Sequence, residues 1–143
     1  MFKISNFLLL VIVGILVQSG CNTGPSSADI LKEKFERMKA ESKIFEDLLK
    51  VVVDEATATK TLPKLETALE AMLAAGKELE KASETTSRNT ITLKQQTKEF
   101  RGNQAERVNK EVARLKIIPV VPDILEPIFS RMGSKYKPVT SAL

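Results

Sequence analysis

The chain has 143 residues, 22 of them basic and 18 acidic, for a net charge of +4, and 43% of its residues are apolar. It holds one cysteine, no histidine and no tryptophan. That excludes an internal disulfide and removes the commonest general base, the commonest metal ligand and the usual haem ligand of helical bundles. Ordinary apolar content beside abundant charge points to a folded, helix-rich protein and away from disorder.

The first element is a hydrophobic run. Lys3 supplies a positive start, and residues 7–17 are apolar apart from Gly14. Eleven residues are too few for a spanning helix, which needs about 20, but they suit the apolar region of a signal peptide. The run ends in Gln18-Ser19-Gly20-Cys21. This ending resembles the lipobox of bacterial lipoprotein signal peptides, although Gln18 stands where Leu, Val or Ile is usual. The resemblance implies peptidase recognition at Ser19 and Gly20 and cleavage before Cys21. It also implies a diacylglycerol on the Cys21 sulfur and usually an acyl chain on the new amine. Two or more acyl chains give firm membrane attachment, so the expected location is the cell envelope. Asn22, in place of Asp, weighs toward the outer membrane of a two-membrane cell. The alternatives are an ordinary secretory peptide, for which no A-x-A site is present, and an uncleaved N-terminal anchor.

Residues 21–28 read as a lipidated tether, with Gly24, Pro25, Ser26 and Ser27. The 123 residues from Cys21 onward suffice for one domain with its own core. Helix 1 is expected near Asp29, where Ser26-x-x-Asp29 resembles a capping box. Its stripe is Leu31, Phe35, Met38, Ser42, Phe45, Leu49 and Val52, with Glu33–Arg37 and Glu46–Lys50 as i,i+4 pairs on the wet side. Asp54 is a candidate N-cap, and Pro63 follows. Helix 2 therefore begins either at Asp54, with a kink near Pro63, or at Thr61, and a turn over 54–61 is preferred. It carries Leu65, Leu69, Met72, Gly76 and Leu79. Ser83 to Thr90 reads as a loop, and Thr92-x-x-Gln95 as the cap of helix 3. The stripe of helix 3 is Leu93, Thr97, Phe100, Ala105, Val108, Val112 and Leu115, with a break allowed at Gly102-Asn103. A short fourth helix starts at Pro122, bends at Pro127, buries Ile124, Leu125, Ile128, Phe129 and Met132, and ends at Gly133. Residues 134–143 read as a frayed tail. No segment alternates with period two. The expected fold is all-α, an antiparallel three-helix bundle over 29–133 with a short C-terminal fourth helix.

Charge is unevenly distributed. Residues 22–87 carry a net −3 and residues 88–143 a net +6. A basic second half suits anionic lipid heads or wall polymers, or is simply a solvated face. Nucleic acid is not an expected partner, because no aromatic residues interleave with the cations. Candidate acids are carboxylates: Asp54 and Glu55 at a helix start, and the neighbours Glu66 and Glu70. A carboxylate metal site in a bundle normally adds Glu-x-x-His motifs, and this chain has no histidine. Capping and solvation account for these acids, and no catalytic residue, metal or cofactor is expected. The leading reading is a membrane-anchored, non-enzymatic binding or structural module for a partner protein, a wall polymer or a second copy. The alternative is a carrier of an apolar small ligand, using room left by Gly76 and Ala71 to Ala75 between helices 2 and 3. An enzyme would need convergent carboxylates or a Ser-Lys pair in a cleft.

Overall fold

The computed structural model describes residues 24–85 and 91–133. The expected signal segment with Ser19, Gly20 and Cys21, and residues 134–143, expected as a tail, lie outside the described residues.

Helix α1 spans Ser27–Val51. Ser26 caps it as the sequence predicts. The Asp29 amide donates to Ser26 Oγ at 3.2 Å, and the Ser26 amide donates to Asp29 Oδ2 at 3.2 Å. Its inner face includes the expected residues: Leu31, Phe35, Met38, Ser42, Phe45 and Leu49 are buried, and so is Val52 beyond its end; Glu46, expected on the wet side, is buried as well. The polar member is satisfied locally, since Ser42 Oγ donates to the Met38 carbonyl at 2.6 Å. The carbonyls of Leu49 and Val52 at the helix end each accept from the Arg114 guanidinium at 2.9 Å, so a side chain from another helix fills the orphan acceptors.

Helix α2 spans Glu55–Thr85 and contains Pro63. The expected turn over 54–61 is therefore absent. Asp54 starts the helix: the Thr57 amide donates to Asp54 Oδ1 at 2.8 Å and the Asp54 amide donates to Thr57 Oγ1 at 3.0 Å. A proline inside a helix costs about 3 kcal/mol. Two observations explain why the helix continues. Pro63 is exposed, and the buried series Ala58, Thr61, Leu65, Ala68, Met72, Ala75, Leu79, Ala82 runs straight past it in steps of three and four. Breaking the helix would strand the first two members of that series. At the other end Ser83, Glu84 and Thr85 are helical rather than part of a loop.

Helix α3 spans Ile91–Lys116 without a break at Gly102-Asn103. Thr92 lies inside it, so the expected Thr92–Gln95 cap does not form, and Gln95 Nε2 instead donates to Glu99 at 2.8 Å. The buried face is Thr97, Gln104, Val108, Val112 and Leu115. Gln104 takes the inward position expected of Ala105, which is only half-buried. Hydropathy favours the alanine. Helical geometry favours residue 104, which is seven beyond Thr97 and four before Val108.

The single bent fourth helix expected is two short helices, α4 at Val121–Ile124 and α5 at Glu126–Met132, joined at Leu125. Each proline sits in a first turn, where no amide donor is needed. Val121, Leu125, Ile128 and Met132 are buried, whereas Ile124 and Phe129 are only partly so. Gly133 ends α5 at φ 66°.

The long helices form the expected antiparallel three-helix bundle. Residues 52–54 turn α2 back along α1, and Arg37 on α1 meets Glu78 on α2. Helix α3 runs parallel to α1: the Phe35 and Phe100 rings meet edge to face at 5.6 Å, Arg107 meets Glu46, and Arg114 meets the end of α1. The backbones come closest between α1 and α2. Both buried seams alternate steps of three and four, the spacing of a left-handed pair, and the small residues Ala68, Ala75 and Ala82 take every second position of the α2 seam. From Gln104 the α3 seam steps four, four and three instead. That spacing drifts away from a left-handed course. Helices α4 and α5 fill one part of the resulting gap against α2, with Arg131 on Glu70 at 2.8 Å.

Two expected ion pairs are replaced. Arg37 pairs with Glu78 across the bundle rather than with Glu33. Glu46 pairs with Arg107, and Lys50 pairs with Asp47. Arg37 and Glu46 thus take partners from other helices, while Lys50 takes a local one three residues earlier.

Candidate functional site

The remaining part of the gap between α2 and α3 is a crevice of about 280 Å³. Met38 of α1, Met72 and Leu73 of α2, Ala105 of α3 and Met132 of α5 form its apolar lining, and all three described methionines meet there. Lys77, Glu80, Arg101 and Gln104 supply its polar groups.

Gln104 is the unusual member. It is only 2% exposed, and its amide nitrogen donates to Met72 Sδ at 3.0 Å. A thioether is a weak acceptor, and a buried amide with a poor partner retains much of its desolvation penalty. Three residues earlier on the same helix, Arg101 is half-buried and lines both this crevice and a separate hollow beside Leu79, Ser83 and Thr97. Among the described residues it makes no ion pair or hydrogen bond.

Gly76 forms part of the wall. Glycine inside a helix costs about 1 kcal/mol relative to alanine. A close approach by a neighbouring helix would offset that cost, but the structure does not show one that excludes a methyl group. A Cβ at Gly76 would meet Met38 Sδ at 3.7 Å and Cε at 3.8 Å, which is ordinary contact. The missing methyl leaves space in the crevice rather than relieving a clash.

A second concave surface lies on the opposite side of α2. It is an open groove of about 630 Å³ between α1 and α2, lined by Ile44, Leu48, Pro63, Ala68 and Ala71, with Glu41 and Lys64 at its margin. Ile44 is half exposed.

The titratable groups with displaced pKa values belong to caps and ion pairs. The Thr57 amide and hydroxyl hold the Asp54 carboxyl below its ordinary value, and the Ser26 hydroxyl and amide do the same for Asp29. Lys43 and Lys50 lower Asp47, while Lys34, with Arg37, lowers Glu78. In return Glu78 raises Lys34, Asp47 raises Lys43 and Glu46 raises Arg107. Of the acids picked out in the sequence, Asp54 is a cap and Glu70 is Arg131's partner. Among the described residues, no group of three or more acids is placed to hold a metal. Nor is any described helix long and apolar enough to cross a membrane.

Gln104 and Arg101 were not singled out by sequence reasoning. The signal for Gln104 was its register, since a polar residue occupies the slot between Thr97 and Val108 where the seam requires an inward side chain. Comparison with protein-family models, with curated proteins and with solved structures finds no match.

Proposed function

We propose that this chain is a cell-envelope lipoprotein, held to a membrane through lipid on Cys21, whose helical domain is a non-enzymatic binding module. One observation carries the anchor: the apolar run over 7–17 that closes on Ser19-Gly20-Cys21. The bundle follows at once, since the capped start of α1 lies five residues past the cysteine, at Ser26. The open α1–α2 groove suits the binding role, because an amphipathic helix of a partner or a second copy can lay apolar anchors against Ile44, Leu48 and Ala71. Exposed cations on α3, such as Lys98 and Lys110, would meet anionic lipid or wall polymer.

The test is intact mass. Protein extracted from membranes is expected to begin at Cys21 and to carry lipid mass, and a Cys21→Ala variant is expected to stay unprocessed and lipid-free. A lipid-free chain cut elsewhere would defeat the reading.

A second reading, a carrier of an apolar small ligand, is favoured by one specific observation. The α2–α3 crevice combines methionine walls with a buried amide that has only a sulfur partner.

A further inference from the structure

We propose that the crevice between α2 and α3 binds an aliphatic monocarboxylic acid, with its carboxylate on Arg101 and Gln104 and its chain among Met38, Met72, Gly76 and Met132. This deepens the carrier reading and depends on it.

Each part of the crevice selects one part of such a molecule. The Arg101 guanidinium stands half-buried without a described partner, and its planar fork matches a carboxylate. Gln104, one helical turn further along α3, offers amide N–H groups whose described acceptor is a thioether. A carboxylate oxygen is a far better acceptor. Glu80 stands on the same rim without pairing with Arg101. With Lys77 and Arg101 in the same lining it leaves a net charge of +1, which matches a carboxylate rather than a doubly charged head such as a phosphate monoester. Below the head, the walls are flexible thioethers, which adapt to an unbranched chain. Gly76 keeps the space open although a methyl group would fit without a clash. The volume of about 280 Å³ holds roughly nine groups of water size at about 30 Å³ each. That corresponds to a medium-length chain.

The experiment titrates decanoate into the purified full chain below its micellar concentration, with decanol as the neutral counterpart. One saturable site is expected, with decanoate bound about tenfold or more tightly than decanol, as for a hydrogen bond to a charged group. Arg101→Gln is expected to abolish that preference. Gly76→Ala, which fills the wall without strain, is expected to weaken both ligands, and Lys60→Gln, at an exposed position outside the crevice, to change neither. Circular dichroism establishes that each variant is folded. Equal binding of the two probes, unchanged by Arg101→Gln, would overturn the carboxylate assignment and leave the carrier reading standing. A decanoate preference that survives Arg101→Gln, or binding indifferent to Gly76→Ala, would place the ligand elsewhere and overturn the site. No saturable binding of either probe would remove both the assignment and the carrier reading.

Discussion

Val120 is held at φ 68° and ψ −29° at the turn into α4, and it is the one described non-glycine residue with positive φ. A β-branched side chain in that region is crowded against its own backbone, at a cost of roughly 1–2 kcal/mol. Nothing obvious offsets the cost, because the side chain is 49% exposed. The turn itself is fixed by its neighbours: the Asp123 and Ile124 amides both donate to the Val120 carbonyl, and Val121 is fully buried. Val120→Gly is therefore expected to stabilise the protein by about 1 kcal/mol, less than the full strain because glycine gains freedom in the unfolded chain. Thermal unfolding checks this. A melting temperature that falls would mean the valine contributes contacts that outweigh its strain.

At the scale of elements, Pro63 is a parallel case. The helix tolerates it because the buried seam on the other face continues, with Thr61 and Leu65 on either side. Thr59 and Thr67 turn their hydroxyls onto the Glu55 and Pro63 carbonyls, each at 3.0 Å. Pro63→Ala restores an amide donor within the helix and is expected to raise unfolding free energy by about 2 kcal/mol, somewhat under the helix-interior penalty. Urea denaturation with an unchanged slope would confirm it; no gain would show that α2 has already relaxed around the ring.

The same two helices show what a sequence can and cannot reveal. Helix α1 was legible because a reciprocal cap and an uninterrupted seam agree. The start of α2 was misplaced because the proline outweighed the Asp54–Thr57 cap, although a long buried seam dominates a single local penalty. Helix α3 was legible in most of its facing, since Thr97, Val108, Val112 and Leu115 are buried as expected, but not at the centre of its seam, where Gln104 stands in place of Ala105. The partners of Glu46 and Arg37 were illegible for a different reason: they come from other helices, and local spacing carries no information about them. The proposed lipid attachment at Cys21 is entirely a matter of sequence, whereas the crevice is entirely a matter of assembly. Met38, Met72, Gln104 and Met132 come from four different helices and share no motif.

Across the whole molecule, the imbalance between an acidic first part and a basic second part is partly consumed by folding. Arg107 on Glu46 and Arg131 on Glu70 join the two parts directly. The Arg131–Glu70 pair is exposed and worth little alone, whereas Glu46 in the other pair is buried; the pH range of stability is set by other carboxyls. The carboxyls of Asp29, Asp47, Asp54 and Glu78 are all lowered in the folded state. Below their ordinary values of about 4 the unfolded chain binds protons that the folded chain refuses. Their contribution is thus complete above about pH 5 and disappears as pH falls through the lowered values. Lys34 and Lys43 are raised, so their contribution is complete below about pH 10 and is lost only as pH rises through their raised values. The urea midpoint is expected to be level from about pH 5 to 9 and to drop below pH 4. A midpoint that stays level down to pH 3 would contradict this.

The convergence of Met38, Met72 and Met132 on one crevice has a chemical consequence of its own. An oxidant turns a methionine into a polar, chiral sulfoxide. Here every described thioether lies in the same place, and each is at most 5% exposed. Peroxide reaches these sulfurs through the crevice they line, so their rate of oxidation reports on access to it. Once oxidised, the sulfur at Met72 no longer presents an apolar floor beneath Gln104. In an oxidising compartment, damage to this protein would therefore fall first on its interior seam and leave its charged surface untouched.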